Sequence, residues 1–373
     1  YCFTSGFWEK ALNLPKSMIL LMFLEALLSP ALSYWSGRQR FEYRYRILVG
    51  VTILQALMNP IASLVLIRIN GGTAMMRILG IVGVQICICV PIIVFQFCKG
   101  KEFFSKEYWG YALRIGIPIV PHYLSGIILN QGDRIMIENM VGKTEVALYG
   151  LAYSIGMLVQ LFISGMNSAL TPWMYSKIKK GDIRSMRKVL ELLSFVVAGV
   201  AVALMLISPE LVLVFGSPKY REAVYVIPPV AASVFFIFLY NILSMPQFYY
   251  EKTQFLMTAS MAAAAANVVL NFIFIRIFGY VAAGYTTLAC YILYSVGHYV
   301  VSKRILVAEG IEENLMDAGF LLACSAFLIG VSVICNLLFP YRILRYAILL
   351  ASAGLVFWKR ELLLNTMADI RKK

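Results

Sequence analysis

"YALRIGIPIVPHYLSGIILNQGDRIMI", residues 111–137, decides how the rest of the chain is read. Between Arg114 and Asp133 it runs for 18 residues without an Asp, Glu, Lys or Arg. A helix of about 20 such residues crosses the hydrocarbon core of a bilayer. A membrane β-strand would show alternation over about ten residues, and none is present. The stretch therefore predicts a transmembrane helix, bent at Pro118 and Pro121 and closed by the charged pair Asp133-Arg134. The "GKT" that follows at 142–144 is not a phosphate loop. That motif needs a glycine five residues before the Gly-Lys pair and a strand ahead of it, and the position holds Ile137.

The composition extends this reading to all 373 residues. Hydrophobic residues make up 61% and charged residues 14%, where soluble domains sit near half and a quarter. Apolar spans fall at 15–36, 47–69, 74–97, 112–140, 145–175, 189–215, 223–248, 255–277, 280–302, 317–338 and 341–358. The expected fold class is an all-α polytopic membrane protein with eleven spans and short connections. Seven cysteines (2, 87, 89, 98, 290, 324 and 335) lie in or beside apolar runs, as small buried apolar side chains do. They have no metal-ligand spacing with His122 or His298, the two histidines. No cofactor and no ATP site is expected.

The net charge of +14 would suggest nucleic acid in a soluble protein. In a membrane chain its distribution matters more, and no nucleic-acid partner is expected. Loops at 37–46, 99–114, 177–188, 252 and 302–304, together with the C-terminal tail, carry 22 of the 33 Lys and Arg residues. The positive-inside rule places these loops and the C-terminus in the cytoplasm. Trp35, Trp109, Trp173 and Trp358 sit at the same boundaries, where interfacial anchors belong. Eleven spans then put Tyr1 outside.

An internal repeat organises the spans. "NPIASLVLIRINGG" (59–72) lies over "NVVLNFIFIRIFGY" (267–280), pairing Asn59 with Asn267, Arg68 with Arg276 and Gly71 with Gly279. Upstream, Glu9 pairs with Glu222 and Pro15 with Pro228. Three spans precede the second copy without counterpart before the first, so the reading expects about a hundred residues missing from the front. It divides the chain into 1–105, the second half of an N-lobe with three helices; 106–305, a six-helix C-lobe; and 306–373, two additional helices and a cytoplasmic tail. Parallel repeats of this kind are common in transporters, with the substrate between them.

With these motifs in view, the chain resembles the Wzx-type polysaccharide (O-antigen or capsule) flippases of the multidrug/oligosaccharidyl-lipid/polysaccharide exporter superfamily. The resemblance rests on Pro118, Pro121, Asp133, Arg134, Gly142, Val146, Tyr149 and Ala152, on "FGSPKYREAVYVIP" (215–228) and on residues 267–288. It implies a flippase of the bacterial cytoplasmic (inner) membrane. Such a protein carries an undecaprenyl-diphosphate-linked oligosaccharide across the bilayer by alternating access between two lobes. Its expected partners are the lipid-linked oligosaccharide, membrane lipids and the polysaccharide polymerase machinery. The alternatives are a cation-coupled multidrug efflux transporter on the same fold, whose cavity would be more apolar and acidic, and a membrane polymerase or glycosyltransferase, which would need a sizeable outer loop.

A charged side chain at mid-bilayer costs about 2.5–3.5 kcal/mol or more, so charges inside spans are the candidates for function. Arg134 offers a fork for phosphate oxygens if it faces a cavity; otherwise it pairs at a helix end. Asp133 tunes it or bonds a neighbouring helix. Arg77 has no cation at the corresponding place in the second copy, and is either a cavity cation or a snorkelling interfacial residue. Arg114 could meet the incoming diphosphate or merely mark the cytoplasmic side. Glu25 lies near mid-span, as a coupling site or a helix–helix hydrogen bond. His122 follows Pro121, as a proton carrier or a packing residue. Arg68 and Arg276, matched in both copies, are read as structural.

Overall fold

The computed structural model describes residues 6, 8, 9, 14–69, 74–102 and 104–358. Gly71, Cys2 and the basic tail at 359–373 lie outside the described residues. Twelve α-helices follow in order: α1 (Lys16–Phe41), α2 (Tyr45–Ile69), α3 (Ala74–Gly100), α4 (Lys106–Met140), α5 (Lys143–Gly156), α6 (Leu158–Lys179), α7 (Ile183–Phe215), α8 (Ile227–Tyr249), α9 (Gln254–Phe278), α10 (Val281–Ala308), α11 (Ala318–Leu338) and α12 (Arg342–Trp358). A 3-10 turn, Pro218–Val226, leads into α8. No strand occurs among the described residues. The chain is an all-α polytopic membrane protein.

Nine helical segments among the described residues are long and apolar enough to cross a membrane, against eleven expected. The other two expected spans are helices of different character. α10 turns Thr286, Thr287, Ser295, His298 and Ser302 into the protein interior, which lowers its mean hydropathy. α12 is described over Arg342–Trp358, up to the last described residue. The span expected at 145–175 is two helices with a turn at Met157. No proline causes this break. Gly156 lies so close to α8 that a methyl group there would sit 2.6 Å from Val230 Cγ1.

The prolines also behave unevenly. Pro30 and Pro60 sit inside α1 and α2. Pro228 and Pro229 occupy the first turn of α8. A missing N–H there leaves no helical bond unmade.

The chain divides into two compact units, Tyr1–Trp109 and Gly110–Lys373. In the first, α1, α2 and α3 pack on one another. α2 and α3 approach closely at Gly80, where a Cβ would lie 2.6 Å from the Ser63 backbone. Ser63 is the one buried residue described in α2. Its hydroxyl shares its proton between the carbonyls of Asn59 (2.7 Å) and Arg77 (3.2 Å). The apolar side chains of α2 face outward, Ile69 being 72% exposed, as a lipid-facing surface requires.

In the second unit α8 is the central post. Its residues from Ile227 to Leu239 are all buried, and α5, α6, α7, α10 and α11 pack around it. A helix apolar on every side belongs at the middle of such a bundle. α9 packs chiefly on α10. In the second copy of the repeat, Asn271 takes the place of Ser63 and also bonds the following helix, through the Thr286 hydroxyl. α12 is tied to α7 by Arg345, which is 3% exposed. Its guanidinium meets Glu210 through two bonds of 2.8 Å and donates to the Leu206 carbonyl at 2.5 Å. Of the cysteines expected to be buried, Cys89, Cys290 and Cys335 are, Cys324 is partly so, and Cys87 and Cys98 are exposed. Both exposed thiols lie on α3, a helix with much of its surface outward.

Candidate functional site

Four helices converge on Asp133, which is fully buried. Tyr149 of α5 donates its hydroxyl proton to Oδ2 at 2.6 Å, and the Thr287 hydroxyl of α10 donates to the same oxygen at 2.8 Å. The Asn271 amide of α9 donates to Oδ1 at 2.6 Å. A second layer holds these donors in place. Asn271 Nδ2 also reaches Asn267 Oδ1 (3.1 Å), Asn267 Nδ2 donates to Thr287 Oγ1 (3.2 Å), and Thr286 donates to Asn271 Oδ1. Every group touching the carboxylate is a neutral donor. No Lys or Arg forms an ion pair with it among the described residues. An ionised carboxylate is an acceptor only, so this cage is the surrounding that suits it. A change in its charge changes the balance of the whole cage.

Arg134 is the next residue, but about 100° around the helix, and its surroundings differ. It lines a cavity of about 760 Å3 within the second unit, whose walls include His122, Asn130, Tyr153, Tyr240, Tyr291 and Tyr294. Its Nη1 donates to Gln131 Oε1 at 3.3 Å, and its guanidinium lies over the Tyr153 ring, 5.1 Å from the centroid. Its Nε is buried without a partner. Tyr153 donates to Asn130 Oδ1 at 2.7 Å, and Tyr291 reaches the same oxygen at 3.3 Å. Asn130 thus ties the cavity wall to the helix that carries Asp133. His122 Nδ1 lies 2.9 Å from the Tyr294 hydroxyl. His298, one turn beyond Tyr294, is buried, with Nδ1 2.8 Å from Gln247 Nε2. The lining contains no Asp or Glu.

The six residues singled out from sequence therefore separate. Arg134 and His122 line the cavity. Asp133 lies behind it, caged, as in the reading that it bonds a neighbouring helix; the alternative of a helix-end ion pair with Arg134 is not formed, because their side chains leave α4 in different directions. Arg114 is exposed on α4 and does not line the cavity. Glu25 on α1 is half-buried, and Arg77 on α3 is exposed, both in the first unit. The residues that sequence reasoning missed are the neutral ones: Asn267, Asn271, Thr286 and Thr287 around Asp133, and Tyr153, Tyr240, Tyr291 and Tyr294 in the cavity. A signal was present. Asn267 and Asn271 are spaced to share one face of an apolar helix, and polar groups in such helices find partners.

Comparison with known proteins agrees with this architecture. The family model described as polysaccharide biosynthesis protein matches residues 2–179, and the MatE model matches residues 118–273. A Haemophilus influenzae protein named Lsg locus putative protein 1 is 30% identical over 195 residues, 48% of this chain and 47% of that one. An uncharacterized membrane protein of the same organism is 29% identical over 167 residues, 42% of this chain and 40% of that one. The chain thus matches less than half the length of each of these relatives. A crystal structure of a MATE mutant superimposes with a TM-score of 0.62 at 14% identity, covering 79% of this chain and 70% of that one, which shows a shared fold. Over the matched residues the chain is thus similar to the polysaccharide biosynthesis and MatE families, and it shares the fold of a MATE protein.

Proposed function

We propose that the protein moves an undecaprenyl-diphosphate-linked oligosaccharide from the cytoplasmic to the outer leaflet of the bacterial cytoplasmic membrane. Alternating access between two lobes would carry the head group while the lipid tail stays in the bilayer. In this reading 1–105 belongs to the N-lobe, 106–305 is the C-lobe, 306–373 adds two helices, and the C-terminus is cytoplasmic. One observation carries the proposal: among the described residues the cavity that presents Arg134 has no carboxylate in its lining, where His122, tyrosines, neutral amides and serines stand beside Ile127, Leu129, Met157 and Phe248. An anionic, hydroxyl-rich cargo suits such walls. A cationic drug would leave Arg134 opposing it, which disfavours the efflux alternative. The chain acts as a transporter rather than an enzyme in this reading. Asp133, buried beside the cavity without a basic partner, is the group whose charge a coupling ion would balance.

The test is surface polymer made by a strain that lacks its own polysaccharide flippase and expresses this protein. Export is expected to return, and to fall about tenfold or more with Arg134→Ala, since a hydrogen bond to a charged group is worth about 1.5–3 kcal/mol. Unchanged export in Arg134→Ala removes the charged-cavity account.

A further inference from the structure

The cavity of the second unit has a composition that discriminates among the parts of a lipid-linked glycan. We propose that it binds one sugar ring bearing a carboxylate, a hexuronate-type residue, and that the carrier diphosphate binds elsewhere. The proposal rests on the flippase reading above and names the portion of the cargo that this site takes.

Three features converge. The first is charge. Among the described residues Arg134 is the only Lys or Arg in the lining and no acidic side chain accompanies it. A diphosphate carries more negative charge than one guanidinium balances; a single carboxylate matches it. Arg134 is also under-used. One long bond to Gln131 occupies one of its N–H groups, and its Nε is buried without a partner. The planar fork pairs with a carboxylate through two parallel bonds, and Tyr153 beneath it fixes the plane of the fork.

The second feature is shape. Tyr240 and Tyr291 stack with ring planes 7° apart and centroids 6.2 Å apart, and Tyr294 packs on Tyr240 at 4.6 Å. Aromatic faces are electron-rich and attract the weakly positive C–H face of a pyranose. The third feature is unmet hydrogen bonding. Gln160 Oε1, in the same lining, is buried with no partner. Buried polar atoms are ordinarily satisfied, and a sugar hydroxyl is the donor it lacks. An acyl chain would leave Gln160 and Arg134 unmatched, and a cationic drug would find no counter-charge. The volume of about 760 Å3 leaves room for a ring with its substituents, within the range of about 300–1,000 Å3 typical of ligand sites.

The experiment is saturation-transfer NMR on the full chain in nanodiscs of phosphatidylethanolamine and phosphatidylglycerol. The probes are methyl β-glucuronide and methyl β-glucoside, each with and without inorganic diphosphate. Saturation is expected on the ring protons of the glucuronide, with affinity about tenfold above that of the glucoside, the size expected for one hydrogen bond to a charged group. Arg134→Gln is expected to erase the preference while both sugars still bind. Gln160→Leu is expected to weaken both sugars and keep the preference. Equal binding of the two sugars, displacement of the glucuronide by equimolar diphosphate, or a preference that survives Arg134→Gln each overturns the proposal. Restored polymer export without glucuronide preference would remove the subsite and leave the flippase. Glucuronide preference without restored export would remove the flippase and leave a sugar site.

Discussion

Replacing Asp133 in two ways separates what its cage does for the fold from what its charge does for transport. In Asp133→Ala three donors lose their acceptor. Asn271 Nδ2 keeps its bond to Asn267, and the Thr287 hydroxyl can re-aim, but Tyr149 loses the carboxylate that accepts its proton. One buried orphan costs about 1–3 kcal/mol, and weakening two further bonds to a charged group brings the expected loss to about 3–5 kcal/mol. Asp133→Asn is milder for a geometric reason. Tyr149 and Thr287 both bond Oδ2, so a single amide oxygen placed there keeps both. The new amide nitrogen then faces the amide of Asn271; if Asn271 turns over to accept from it, its bond to Asn267 Oδ1 is lost unless Asn267 turns as well. Thr286 can redirect its proton to the carbonyls of Ala282 or Ala283, already at 3.2 and 3.0 Å. The expected loss is about 1–2 kcal/mol, the cost of exchanging charged for neutral hydrogen bonds. Thermal unfolding in detergent, followed by tryptophan fluorescence, ranks the two variants, and polymer export reads their function. The reasoning requires Asn to melt well above Ala, yet both to lose export. Equal melting refutes the cage geometry; full export by the Asn variant refutes a role for the charge.

Three other perturbations probe the packing. Arg345→Met alone leaves the Leu206 carbonyl unmet and the partly exposed Glu210 with Arg342 at 4.0 Å, and should cost about 2–4 kcal/mol; adding Glu210→Leu should recover part of it, since apolar replacement of such a pair is close to neutral. Both are read by the same melting assay. Gly156→Ala should cost about 1–3 kcal/mol through the clash with Val230, and Val230→Ala in the same chain should relieve part of that loss. Asp182, outside the spans, caps α7 through Ser185 N–H and bonds Lys177 at 2.5 Å; the Lys177 bond is the main cause holding its carboxyl below the usual range. Its stabilising effect is present above the unfolded value of about 3.9 and is lost as pH falls through the lowered folded value. Asp182→Ala should therefore cost about 1 kcal/mol at pH 7, and its melting difference from wild type should shrink in stronger acid.

Much of this architecture was legible because a bilayer imposes one rule on every span: length and apolarity. That rule located α1 to α4 and α7 to α9 within a few residues, and the family resemblance pointed to Asp133, Arg134 and Tyr149. What stayed hidden depends on partners distant in sequence. The close approach of Gly156 to Val230, beside the turn at Met157, joins positions 74 residues apart, and nothing local marks it. Arg345 reads as one more exposed cation on the non-cytoplasmic side until α7 brings Glu210 to it. The separation of Asp133 from Arg134 follows from helix geometry, but which of the two faces the cavity depends on how α5, α9 and α10 surround α4. Charge drew attention to single residues, while the site is built largely from neutral ones.

The order in which the cage is assembled follows from where its members lie along the chain. Tyr149 emerges from the ribosome 16 residues after Asp133, but Asn271 follows by 138 and Thr287 by 154. At about 5–20 residues per second of synthesis, the wait for Asn271 lasts roughly 7–30 seconds. Throughout that interval the nascent α4 holds an acidic group with at most one of its eventual donors at hand. Membrane insertion must therefore handle Asp133 either with a proton on it or beside water, until α9 and α10 bring its remaining donors.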